Sequence, residues 1–149
     1  MALWQYTFFI LPGNAIREKG LDFVFPNNHE EFDDTEFWSQ RHEKPSLFDQ
    51  LTGILPKASS WSKSINLYGS QESNCLEVMF ENDIIASVSF RIDFRTNYED
   101  ILRAIIEFII NNDLIILDEN LSKCPLNFEV VNTIIASSPQ VKKYKRLSS

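Results

Sequence analysis

Apolar and polar residues alternate along several stretches of the chain, the period-two pattern of strands with one face in a core. From Leu3 to Leu11, Trp4, Tyr6 and Phe8 alternate with Gln5 and Thr7, and Pro12-Gly13-Asn14 supplies turn residues at the end. Ile65 to Tyr68 is a short strand stopped by Gly69. Leu76, Val78 and Phe80 alternate with Cys75, Glu77, Met79 and Glu81, and Ile84, Ala86, Val88, Phe90, Ile92 and Phe94 alternate with Ile85, Ser87, Ser89, Arg91, Asp93 and Arg95, which predicts an antiparallel hairpin. Parity constrains its turn. A two-residue loop at Asn82-Asp83 would pair Phe80 with Ile85 and place the two apolar rows on opposite faces, because a slip of one residue flips every side chain. Pairing Phe80 with Ile84, Val78 with Ala86 and Leu76 with Val88 restores one apolar face, so a three-residue turn, Glu81-Asn82-Asp83, is expected.

The period then changes. Thr96-Asn97-Tyr98-Glu99 has the form of a capping box, and Ile101, Leu102, Ile105, Ile106, Phe108 and Ile109 form a wide apolar stripe at helical spacing, with Arg103 and Glu107 outside it. Asn111-Asn112 is a stop signal, Leu114 to Leu117 reads as a further strand, and Asn127 is placed to cap a second helix through Ala136 on Phe128, Val131, Ile134 and Ile135. Pro139 ends it, ahead of one more helical turn at most. Residues 15 to 64 have weak periodicity, with Pro26-Asn27-Asn28, an acid-rich run from His29 to Glu36, Pro45 and Pro56. So long a stretch is either a large excursion with short helices or a site-bearing region, since compact domains rarely carry long structureless loops without a use. The expected fold is one α+β domain over residues 1–149, an antiparallel sheet of four to five strands with two main helices on one face.

The chain has 149 residues, 44% of them hydrophobic, enough for a real core without disulfides or metal. Its two cysteines, Cys75 and Cys124, lack neighbours at a metal or redox spacing, and reduced thiols in a cytoplasmic protein are expected. No stretch nears the roughly 20 apolar residues that span a membrane. The first eleven residues lack a basic start and alternate like a strand, so they are not expected to be a signal peptide. The net charge of −7 is uneven: Lys142, Lys143, Lys145 and Arg146 form a basic tail within residues 140–149, leaving ten bases against twenty-one acids elsewhere. An acidic body repels phosphate backbones, which argues against direct nucleic-acid binding, and the same field steers a basic protein partner inward. The basic tail is expected to offset a helix C-terminus or remain solvated.

No catalytic motif is found. Gly-x-Ser-x-Gly is absent, the only histidines are His29 and His42, and four glycines, at 13, 20, 53 and 69, cannot build a phosphate-cradling loop. A metal site on His29, Asp33 and His42 is conceivable but lacks the helical His-Glu-x-x-His spacing, so no metal or other cofactor is expected. Asp93 and Glu77 lie next to Arg91 and Arg95, where cross-strand ion pairs account for them better than acid/base chemistry. The feature that points to binding is Glu30-Glu31-Phe32-Asp33-Asp34-Thr35-Glu36-Phe37-Trp38, five acids around three aromatics. In one reading Phe32, Phe37 and Trp38 pin a solvated loop to the core. In the other, Glu30, Glu31, Asp33, Asp34 and Glu36 meet a basic partner while Phe37 or, better, Trp38 supplies the anchor that interface hot spots favour, and Trp61 lines the same surface.

The opening Leu3-Trp4-Gln5-Tyr6 strand, Ser60-Trp61-Ser62 ahead of Tyr68-Gly69, the strand ending Phe90-Arg91-Ile92-Asp93, and a late helix running into Ser137-Ser138 together resemble the immunity proteins of bacterial polymorphic toxin systems. The resemblance is one of layout over most of the chain and transfers no site residue. It implies a cytoplasmic protein that holds a toxin domain inactive by covering its active site or a basic surface near it, without chemistry of its own. Two alternatives stand beside it: a small metal-dependent or other hydrolase with a site near residues 29–42, and a homo-oligomeric adaptor that dimerises through an open sheet edge.

Overall fold

The structure is a computed structural model and describes residues 2–13 and 34–148. Glu30, Glu31, Phe32, Asp33 and His29 lie outside the described residues. Among the described residues, seven strands form one antiparallel sheet: β1 (Gln5–Pro12), β2 (Lys57–Ala58), β3 (Ile65–Gly69), β4 (Cys75–Glu81), β5 (Ile84–Asp93), β6 (Leu114–Leu117) and β7 (Lys123–Cys124), in the order β2-β3-β4-β5-β1-β6-β7. The α+β class with an antiparallel sheet holds, and the count of four to five strands is corrected to seven. The two additional strands, β2 and β7, have two residues each, too few for alternation to reveal.

Register explains the core. Tyr68 pairs with Leu76, Leu76 with Phe90, and Phe90 with Phe8, so one fully buried row crosses four strands. A second row runs from Val78 through Val88 and Ile10 to Ile116, again with no exposed member. The rings of Phe8 and Phe90 stack at 4.9 Å between centroids, and each such aromatic buried contributes on the order of 1.5–3 kcal/mol.

The hairpin keeps the two rows on one face by a different device from the expected one. Its turn is two residues, with Glu81 opposite Ile84 and Phe80 opposite Ile85, and the register then shifts between Phe80 and Met79. A bulge therefore supplies the odd residue that the longer loop was expected to supply. Asn82 and Asp83 both take positive φ, 53° and 61°, the geometry of a tight turn that follows the twist of the strands. With the turn this favourable, the correction moves into β5, where Ala86 is the extra residue and Ile85 and Val88 both face inward.

The helical elements differ in detail from two main helices on one face. Helix α1 (Thr35–Trp38) packs on β5 and β1, a 3-10 helix (Pro45–Leu51) on β4, and α2 (Glu99–Asn111) on β6 and the 3-10 helix. Helix α3 (Phe128–Ala136) leans on α2, and α4 (Pro139–Ser148) is a full ten residues where one turn was expected. Pro139 begins α4 instead of merely ending α3, because proline lacks only an N–H that a first turn leaves unbonded. Asn127 caps α3 as its position predicts, accepting from the Val130 amide at 3.2 Å. The expected capping box at Thr96 does not form: α2 starts at Glu99, and the Thr96 hydroxyl donates to the Asp93 carbonyl and accepts from Asn74. Arg103 pairs with Glu99, not Glu107, at 2.9 Å.

The turn makes a direct test available. Asn82→Ala is expected to cost about 1 kcal/mol, because alanine lacks the local hydrogen bonding that makes left-handed backbone tolerable, whereas Asn82→Gly should leave stability unchanged or slightly raised. Urea denaturation of the two variants measures the difference.

Candidate functional site

The acidic run reaches the structure at Asp34, and what holds it there is packing. The Trp38 indole is fully buried and donates through Nε1 to the Ile10 carbonyl at 3.1 Å, and Phe37 is buried beside it. Trp38 meets the edge of Phe48 at 6.5 Å between centroids, and Phe48 meets Phe108 of α2 at 5.0 Å. Both aromatics at the end of the run therefore pin it to the core, and neither is displayed to a partner. Asp34 accepts a hydrogen bond from the Ser87 hydroxyl, and the Ile85 amide donates to the Glu43 carbonyl at 2.8 Å, which draws α1 and the segment after it against the start of β5.

This arrangement sets a second pair of carboxylates beside the first. Glu81 and Asp83 are exposed at the tip of the β4–β5 hairpin, and Glu36 is exposed on α1. Between hairpin tip and helix lies a cleft of about 340 Å3, lined by Thr35, Ser39, His42, Glu81, Asn82 and Ile84 among others. Glu81 and Asp83 went unnoticed as site residues in the sequence because they read as turn chemistry. Only the fold brings a turn at 81–83 to a helix at 35–38.

The loop after β2 reaches the same end of the sheet. The Phe80 amide donates to the Ser64 carbonyl at 3.0 Å, and three serines shape the loop itself: the Ser62 amide donates to Ser60 Oγ at 3.0 Å, Ser60 Oγ donates to the Ser62 carbonyl at 2.9 Å, and the Ser64 amide donates to Ser62 Oγ at 3.1 Å. Short hydroxyl side chains bonded to nearby backbone are how serines fix a tight loop. The result is Trp61 held out at 69% exposure, the largest exposed aromatic among the described residues, while Met79, opposite Ile65, is 45% exposed. Of the expected partner-binding residues, the structure thus brings Asp34, Glu36 and Trp61 to one end of the sheet, and buries Phe37 and Trp38.

Elsewhere the arginines are neutralised locally. Each arginine of the described body has a carboxylate within 3.1 Å: Arg41 with Glu43, Arg91 with Glu77, Arg95 with Asp93 and Arg103 with Glu99. Glu77 and Arg91 form the expected cross-strand ion pair, with Nη2 2.9 Å from Oε1 although outside hydrogen-bonding geometry. Asp93 pairs with Arg95 two residues on, not across strands. That carboxylate is fully buried and accepts from Ser73 Oγ at 2.8 Å, from Arg95 Nη2 at 2.8 Å, and from the Arg95 amide and Nε, each at 3.0 Å. Burial alone would push its pKa up, and the bonds from Arg95 and Ser73 outweigh it and hold the carboxyl below the usual range. With its acceptor sites filled, Asp93 organises the fold and is unavailable for acid/base work.

Burial pushes the Cys75 thiol up to about 11 and the Cys124 thiol up to about 12, so neither offers a thiolate, and both cysteines are free. Among the described residues no hydrogen bond joins His42 to Ser39 or Glu81, and no three His, Cys, Asp or Glu side chains are grouped to hold a metal ion. No helix among them is long and apolar enough to cross a membrane. The chain has no significant match to any protein-family model, curated protein or solved structure.

The two tryptophans should respond oppositely to truncation. Trp38→Ala is expected to cost about 3–5 kcal/mol, and Trp61→Ala less than about 0.5 kcal/mol, in chemical denaturation. Asp93 has a depressed pKa, so its contribution to stability is complete above the ordinary carboxylate range and is lost as pH falls through the lowered value. Urea midpoints measured from about pH 5 to about pH 2 should therefore fall more steeply for the wild type than for Asp93→Asn. Equal slopes would remove Asp93 from the account of acid sensitivity.

Proposed function

We propose that this chain is an immunity protein that binds a cognate toxin domain and neutralises it by covering its active site or a basic surface near it. The observation that carries the reading is the pairing, at one end of the sheet, of exposed carboxylates on Glu36, Glu81 and Asp83 with the displayed indole of Trp61. Carboxylates around an exposed aromatic provide both parts of a tight interface with a cationic surface, since charge steers the encounter and the ring supplies desolvated contact area. The pairing of Arg41, Arg91, Arg95 and Arg103 with carboxylates leaves their charge locally neutralised, and the exposed cations at this end are Lys44 and Lys63. A toxin that acts on nucleic acid or another anionic substrate presents such a cationic surface.

The original anchor changes under this reading. Trp38 is occupied in the core, so Trp61 takes its place, and Glu81 and Asp83 join the acidic set of Asp34 and Glu36. The adaptor alternative gains less support, since the sheet edges are the two-residue strands β2 and β7, which offer little ladder for a second chain. The hydrolase alternative rests on His42 in the cleft, which has no hydrogen-bonded acid or nucleophile among the described residues.

Capture from the native host, with tagged wild type beside Glu36→Gln/Glu81→Gln/Asp83→Asn and beside Trp61→Ala, tests the proposal. A single basic domain should co-purify with the wild type, bind at least about tenfold more weakly to either variant, and weaken further as salt is raised. Equal retention by all three proteins would refute the site. An acidic partner, or none, would refute the function.

A further inference from the structure

We draw no further inference here: the strongest candidate, the cavity of about 440 Å3 where the turn between β6 and β7 meets the start of α4, is an acidic cluster at a helix start whose Asp118 and Glu119 carboxylates already accept from the Asn120 and Ser122 amides and from the Thr7 amide and Gln140, and nothing in the structure shows what would occupy it.

Discussion

The fold depends on keeping two apolar rows in line across β4, β5 and β1. Leu76 and Val78 must face the same way as Phe90 and Val88, or half the core turns to solvent. A two-residue turn and a one-residue bulge satisfy that requirement together, and other features follow from where the bulge falls. It lies beside the hairpin tip, so it bends the strand just where Ile85 accepts the 39–43 segment and Ser87 meets Asp34. Core alignment and the acidic end of the sheet are thus two effects of a single local irregularity.

At the other end of β5 a buried carboxylate performs the matching task. Asp93 joins the Ser73 loop to the Arg95 turn, and its backbone amide donates to Asn74 Oδ1 at 2.7 Å. Gln5 adds the start of β1 by donating to the carbonyls of Gln71 and Ser73, and the Arg95 guanidinium lies over the Trp4 ring at 4.0 Å. Such a network requires every member to be satisfied, since a lone buried charge is costly. This explains why Thr96 cannot also cap α2: its hydroxyl already belongs to the network.

Much of this was legible in the residues, and the failures share a cause. The five longer strands, the stripe of α2 and the Asn127 cap follow from periodicity and local chemistry. Parity correctly demanded an extra residue in the hairpin, but alternation cannot tell whether a turn or a strand absorbs it. Positive φ at Asn82 and Asp83 favours the short turn, and that is a three-dimensional preference. Thr96 was misread in the same way, and of the two readings of Trp38 the core one holds over the surface one. Each has a local or surface role that its sequence neighbours allow, and a tertiary partner far along the chain, Asn74 or Ile10, that displaces it. The hairpin acids joined the site only because folding sets 81–83 against 35–38.

The edge strands β2 and β7 have a further meaning for how such a protein changes over time. With two residues at each margin, the sheet presents little backbone for another chain to extend, so recognition falls to side chains on turns, loops and helix faces. Those positions lie outside the two core rows. Under the proposed reading, substitutions at Glu36, Trp61 or Glu81 can therefore alter what the molecule binds while the rows that fold it stay as they are, and specificity is free to drift without carrying stability along.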